Sequence, residues 1–309
     1  MLYYKYSDYL KNKYGEKVYK IPINLPLTCP NRTKEGGCTF CAQNAVGYES
    51  LENNIGVKEQ LEKNINYIGP RYGAKKFSAY FQNYTNTFMN TEVFEKYMLD
   101  ALRDDVVEIA VSTRPDCINY KYLEILDKIH KETGTDICIE LGLQSVNYKT
   151  LEKINRGHSL AEFIDAVMMI KKYDFTISNH MILNLPYDDL TDVIEAAKIL
   201  SALKVDFVKM HSLYICPNTL MEKDYLAGKL DLKDVDDYVK KSALFLAYLD
   251  ENIVIQRIVS RAPKEDTVFC NYGISWWKIR DYIEEFMTKN NLTQGCKCDY
   301  LGGKNVRDL

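Results

Sequence analysis

The chain has 309 residues, 46% of them hydrophobic and 27% charged, the balance of an ordinary globular protein, and its length asks for one large α/β domain with at most a modest extension. The net charge of −3 makes no general case for nucleic-acid binding, although residues 1–76 carry twelve Lys and Arg against seven Asp and Glu, a local +5 that either steers an anionic ligand or forms a solvated face. Nine cysteines, an odd number, argue with the lack of a signal-peptide pattern against a secreted disulfide framework, and no apolar run reaches the ~18 residues of a bilayer span, so a cytoplasmic, reduced protein without membrane contact is expected.

In chain order, short apolar runs at 17–25, 76–82, 106–113, 136–143, 175–185, 206–215 and 252–260 read as strands. Between them, 59–67, 91–103, 120–131, 160–172, 190–203 and 235–250 place apolar residues at i, i+3 and i+4 and read as amphipathic helices. Asn90 and Asn119 stand just before two of these helices, and Ser159 precedes a third with Glu162 three residues on, the pattern of a reciprocal N-terminal cap. A further helix is expected at 275–289, inside a less regular tail. Alternation of this kind closes into a parallel barrel or spreads into a doubly wound sheet. The chain contains neither GxGxxG nor GxxxxGKS/T, which favours the barrel. The expected fold is α/β, a partial (β/α) TIM-type barrel of about six parallel strands. Residues 1–260 would form it, with 1–16 as a lead-in, and 261–309 would be a small C-terminal extension capping the barrel.

Function in such barrels collects where strands end and loops begin. The polar residues of this chain fall there. Cys29, Cys38 and Cys41 follow the first strand, Gln82 and Asn83 the second, Arg114 and Asp116 the third, and Gln144 the fourth; Asn184 ends the fifth, and Lys209 and His211 lie within the sixth. The cysteines, in CPNRTKEGGCTFC, are spaced C-x8-C-x2-C. Three clustered thiolates without an obvious fourth ligand can hold a soft metal or an iron–sulfur cluster and leave a position open for a reactive small molecule. A structural zinc site is the alternative. It would need paired CxxC elements or a histidine to complete four ligands, and the nearest histidine in sequence is His130, with Cys296 and Cys298 as other sources of a fourth thiolate. Glu140, a carboxylate inside a strand, is costly to bury without a partner and so points to a role. Lys209 and His211, two residues apart, share a strand face that is expected to point inward.

The triad, with Phe40 immediately before its last cysteine, resembles the cluster loop of the radical S-adenosylmethionine (radical SAM) superfamily. More narrowly, YFQNYTNTF, STRPDC, ELGLQS and INRGH, in that order, resemble the YhcC-like branch, which is related to the radical SAM domain of the Elongator catalytic subunit family; the likeness runs from about residue 15 to 260. The resemblance implies a 4Fe-4S cluster held by Cys29, Cys38 and Cys41, SAM chelated at the open iron, and an electron donor such as flavodoxin or ferredoxin. It implies that Phe40 sits against the adenine or the cluster, with plain packing as the other reading. Gln82 and Asn83 would contact the SAM amino group, although the glycines usual at that position are missing. Arg114 and Asp116 would bind the SAM carboxylate or ribose, or else pair with each other. Glu140 and Gln144 would face SAM from the fourth strand, and His211 from the sixth. The fifth strand ends in NLPYDD where relatives carry a glycine-rich turn, and Asn184 could still supply left-handed backbone there. Arg156 and His158 would make a substrate contact, support the site from behind, or cap a helix.

The activity so implied is reductive cleavage of SAM followed by hydrogen abstraction from an unknown substrate. An RNA base is the candidate substrate, through the Elongator relation, the positive N-terminal segment and Trp276-Trp277-Lys278 with Arg280, a cluster that apolar packing explains equally well. The rival reading is a non-catalytic zinc- or cluster-binding protein that docks a partner through surfaces drawn from its 24 tyrosines. Cys296 and Cys298 read as part of a flexible tail or as a redox pair.

Overall fold

Alternate residues of a strand face opposite sides of the sheet, and this chain uses that alternation to build two unlike faces. Residues 1–33, 36–42 and 50–307 are described by the computed structural model. Seven parallel strands, β1 (Val18–Ile23), β2 (Lys76–Phe81), β3 (Val106–Thr113), β4 (Asp136–Gln144), β5 (Thr176–Ile182), β6 (Phe207–His211) and β8 (Val254–Arg257), stand in the order β1-β2-β3-β4-β5-β6-β8. The edge strands β1 and β8 are not paired with each other, so the barrel is partial, and the strand number is seven rather than about six because Val254 pairs with Phe207. β7 (Tyr214–Ile215) and β9 (Phe269–Cys270) form a separate two-residue antiparallel ladder, so the sixth run ends at His211 rather than at 215.

The helices are α1 (Tyr6–Tyr14), α2 (Val57–Tyr72), α3 (Thr91–Asp100), α4 (Tyr120–Thr133), α5 (Tyr148–Lys153), α6 (Leu160–Ile170), α7 (Leu190–Ala202), α8 (Leu220–Leu226), α9 (Val235–Tyr248) and α10 (Trp276–Lys289). The expected caps form. Asn90 and Asn119 accept from the backbone N–H of Glu92 and Lys121, and Ser159 and Glu162 close a reciprocal capping box. Three helices escape the periodicity reading. α5 and α8 span two turns or fewer, and α1 buries only Leu10 among its own residues, so neither length nor apolar spacing announces them.

The outer face of the sheet is apolar. Ile21 and Ile23, Ala79 and Phe81, Ile109 and Val111, and Ile137, Ile139 and Leu141 pack with Leu61, Phe94, Leu123 and Phe163 of the helices in one core. Ile279, Ile283 and Met287 of α10 join that same core. The inner face is layered. At its floor Tyr80, Ala110, Cys138, Phe207 and Val254 meet Tyr4, Tyr6 and Tyr9. The ring of Phe207 lies edge-on to Tyr6 and Tyr9 at 5.4 and 5.0 Å, so the first helix plugs the lower end of the barrel. Burial of a side chain of this size contributes about 1.5–3 kcal/mol. One layer higher the interior turns charged, and there the site begins.

Candidate active site

The cysteine loop leaves β1 and is tied to the rest of the chain at several points. Arg32 N–H bonds to Cys29 O and Cys41 N–H to Cys38 O, both at 2.9 Å, while Thr39 N–H reaches Ile154 O and Met221 N–H reaches Thr39 O. All three cysteines are half-buried. Their sulfurs have donors aimed at them: Asn31 Nδ2 at 3.4 Å and Arg156 Nη1 at 3.5 Å from Cys38, and Arg32 Nη2 at 3.9 Å from Cys41. Burial pushes the Cys41 thiol up, and the Arg32 guanidinium opposes it. Such donors stabilise thiolate and sulfide charge. Among the described residues no three His, Cys, Asp or Glu side chains converge on one ion position. A cubane held by three thiolates takes each on a different iron, so it asks for neighbouring sulfurs rather than for convergence. The donor set fits a cluster.

The NRGH segment after α5 clamps this loop. Asn155 Nδ2 donates to Gly37 O and Asn31 Nδ2 to Asn155 O. Arg156 Nη2 donates to Gly142 O at 2.6 Å, and His158 Nε2 shares the same carbonyl at 3.1 Å. Burial and the neighbouring Arg156 charge hold His158 down to about 4, hence neutral at pH 7. Arg114, 3% exposed, makes a two-pronged pair with Asp116 at 2.8 and 2.9 Å and donates to Arg156 O. Its guanidinium is thereby engaged in the internal pair and in bracing the clamp. Gly157 sits at φ +73, and a Cβ there would collide with Asn31 Oδ1, so glycine is required on two counts.

Above the floor, Glu140 is fully buried and surrounded by cations. Lys20 Nζ meets Oε1 and Lys209 Nζ meets Oε2, both at 2.5 Å, and His180 Nε2 lies 3.0 Å from Oε2. The two lysines overcome the burial cost and hold the Glu140 carboxyl well below the usual carboxylate range. Lys209 also donates to Tyr80 OH at 2.9 Å, and Ser112 Oγ reaches both Tyr80 and Glu140. His180 stacks on His211, ring centres 5.2 Å apart, and His211 Nδ1 is 3.0 Å from Ser260 Oγ. Lys209 and His211 thus face inward as their spacing suggests, and Glu140 has its partners. Lys20, Tyr80, His180, Arg257 and Ser260 join the cluster without having been anticipated. The one available signal was polarity on a strand: Lys20 alternates with Ile21 and Ile23 in register with Ser78, and His180 follows Ser178 by two.

The other anticipated residues divide into engaged and available. Asn83 donates to Asn24 Oδ1, and Asn184 binds Tyr272 OH and the Leu213 N–H. Asn184 does not take left-handed backbone; Gln144 does, at φ +79, where a bulge in β4 between Gly142 and Gln144 re-aims the chain. Gln82 and Gln144 are both half-buried at strand ends. Phe40 packs on the apolar cluster of Leu151, Ile154, Ile182 and Met221 beneath the loop. Trp276, about one-third exposed, lies between Arg261 and Arg280 at 5.6 and 5.8 Å. Cys296 is exposed and Cys298 half-buried.

Comparison with known proteins shows the family and the fold. The model of the radical SAM superfamily matches residues 23–200, and that of the Radical_SAM C-terminal domain matches 205–289. An uncharacterized protein of Methanocaldococcus jannaschii is 33% identical over 300 residues, 96% of this chain and 92% of the relative. YtqA of Bacillus subtilis, also uncharacterized, is 30% identical over 95% of this chain and 92% of its own, and Protein YhcC of Escherichia coli is 30% identical over 82% of each. Among solved structures, Elp3 of Methanocaldococcus infernus matches with a TM-score of 0.68 at 18% identity, over 90% of this chain; the chain spans 64% of that one. Methylornithine synthase matches with a TM-score of 0.53 at 12% identity, over 92% and 85% of the two chains. Among the described residues, no helix is long and apolar enough to cross a membrane.

Proposed function

The chain belongs to the radical SAM superfamily, in the company of YhcC and YtqA, and from that membership we propose that it is an enzyme that cleaves SAM reductively and abstracts a hydrogen atom from a substrate bound in the partial barrel. The observation that carries this reading is the cysteine loop after β1, with hydrogen-bond donors from Asn31, Arg32 and Arg156 directed at the sulfurs of Cys38 and Cys41.

Cys29, Cys38 and Cys41 would hold a 4Fe-4S cluster. That group would supply one-electron reduction of bound SAM. The protein's own part is positional and electrostatic. Arg156 and Asn31 fix the Cys38 sulfur and offset its negative charge, and Arg32 does so for Cys41. Arg114, locked to Asp116, holds the Arg156 carbonyl and with it the clamp. Gln82 and Gln144 present amides at strand ends for the polar groups of SAM. Asn83 and Asn184, whose amides are engaged, act by shaping the walls. The apolar floor under Phe207 and α1 keeps bulk water from the lower interior, which protects a radical from stray donors. The reducing electron would come from a flavodoxin or ferredoxin, and an RNA base is the first substrate to try.

The test is anaerobic reconstitution with iron and sulfide, then SAM and dithionite, with 5′-deoxyadenosine as readout. Its formation by the wild type and absence in Cys38→Ala is the expected result. Stoichiometric zinc in place of iron, with no SAM binding, would end this reading.

A further inference from the structure

The charged layer of the interior ends, toward β8, in donors without partners among the described residues. Lys20 and Lys209 share the carboxylate of Glu140, and the next carboxylate down, Glu108, accepts from Ser78 and Tyr6 and also acts on Lys20. Arg257, at the end of β8, is in register with Lys209 and acts electrostatically on Lys209, His180, His211 and Tyr214, yet among the described residues its guanidinium has no hydrogen-bond or ion-pair partner. His211 Nε2 is buried and likewise without a partner among the described residues. Arg257, exposed at the end of β8, and His211 therefore leave donors without partners at the mouth of a space that solvent still reaches, since Lys20, His180 and His211 are only half-buried. A buried donor left without a partner is unfavourable unless an acceptor enters to meet it.

We infer that this chamber is a binding site for an oxyanion, a carboxylate or phosphate group carried by the substrate, held between Lys209, Arg257 and His211. The inference rests on the enzymatic reading above for the word substrate, but not for the site itself. The Ser260 hydroxyl can donate to Nδ1, the tautomer that puts the His211 ring proton on Nε2, the atom that lacks a partner among the described residues. Arg257 offers a planar fork suited to either kind of oxyanion. Lys209 completes the set: burial, with repulsion from Lys20 and Arg257, pushes its ammonium down to about 7 despite the pull of Glu140. The groups facing it are Lys20 from β1, Tyr80 from β2, Ser112 from β3, Glu140 from β4, His180 from β5, His211 from β6 and Arg257 from β8. Both histidines are held neutral by burial and the surrounding cations. Lys209 is thus the group whose protonation an arriving anion would restore, and affinity should rise as pH falls through about 7.

The experiment is calorimetric titration of sulfate and of acetate into cluster-loaded protein with saturating SAM, at pH 6, 7 and 8 and constant ionic strength in chloride. One saturable site per chain is expected, tightening toward pH 6 with uptake of a proton. Arg257→Gln, at an exposed strand end, and Lys209→Met should each weaken it by about tenfold or more, the scale of one lost charge-assisted contact. Lys96→Gln, on a distant exposed helix, should not. Preference for sulfate would point to a phosphate-bearing substrate and preference for acetate to a carboxylate. The inference is overturned if neither anion saturates, if both variants bind like the wild type, or if SAM displaces the anion, which would assign the site to SAM itself. 5′-Deoxyadenosine measured on the same samples separates the two readings, because SAM cleavage without anion binding sinks only this one, and anion binding without SAM cleavage sinks only the other.

Discussion

Arg156 reaches across 118 residues of chain to place Nη1 3.5 Å from the sulfur of Cys38. The same guanidinium holds the Gly142 carbonyl, so the cysteine loop is registered against the end of β4, and the loop is a fixed part of the barrel rim. A cationic donor at this distance favours the more negative state of whatever the sulfur ligates. Arg156→Met is therefore expected to shift the reduction potential of the reconstituted cluster to more negative values while leaving its iron content near that of the wild type. An EPR-monitored redox titration reads this directly, and an unchanged midpoint would show that the arginine only braces the loop.

Removal of a thiolate acts differently. Cys38→Ala should abolish the iron–sulfur absorption and SAM cleavage together. Its global stability should stay within about 1 kcal/mol of the wild type, since a half-buried loop side chain carries little of the core. Urea melts and iron analysis of the same preparation check both halves.

Two glycines with almost the same backbone make a matched pair. A methyl group on Gly157 (φ +73) would run into the Asn31 side chain, whereas one on Gly273 (φ +72) would meet nothing within 4 Å. Each alanine substitution incurs the left-handed backbone cost of about 1–2 kcal/mol. Only Gly157→Ala should also displace Asn31 and lower the iron content after reconstitution. Equal iron in the two variants would mean that the clamp is not what holds the loop in shape.

The lysine in the charged layer gives a pH signature. Its folded value, about 7, lies below the ~10.4 of a free lysine. Between the two, the unfolded chain keeps a proton that the folded chain has released, so stability gains with rising pH from about 7 upward, and the gain is absent below 7. The slope from one such proton is at most about 1.4 kcal/mol per pH unit. Urea unfolding at pH 7, 8 and 9 should show this rise in the wild type and a flatter profile in Lys209→Met; parallel profiles would contradict it.

At the floor, Phe207→Ala removes the ring that Tyr6 and Tyr9 cover. A loss of about 3–5 kcal/mol is expected for a buried phenylalanine, measured by urea denaturation. A loss under about 1 kcal/mol would mean that α1 sits loosely on the barrel.

Periodicity located all seven parallel strands, because strands buried on one face by helices and on the other by a packed floor are apolar runs bounded by polar breaks. It located the long helices too, since each shows one face to the sheet. It could not count the strands correctly as a barrel, because the pairing of β8 with β6 is a matter of register across about fifty residues. The cysteine loop was legible because three thiols near two glycines have no packing purpose. The clamp was not. That Arg156 would turn to Cys38 depends on where α5 ends, and α5 spans only six residues, whereas the pairing of Arg114 with Asp116 stood among the readings of the sequence. The charged layer was half legible: Glu140, Lys209 and His211 stood out inside apolar strands, whereas what Lys20 and Arg257 face, inside the runs 17–25 and 252–260, depends on register between strands far apart in sequence.

The N-terminal residues are bound to the end of the chain. Ile255 N–H bonds to Tyr4 O, Lys5 bridges to Ile255, and Gln294 joins Leu2 to Asp250 and Ile253. During synthesis on the ribosome, the first helix therefore emerges long before its seat. Tyr6 and Tyr9 must wait for Phe207, and the backbone beside them must wait for β8. The barrel is open from below until β8 joins it, and only then is its floor complete.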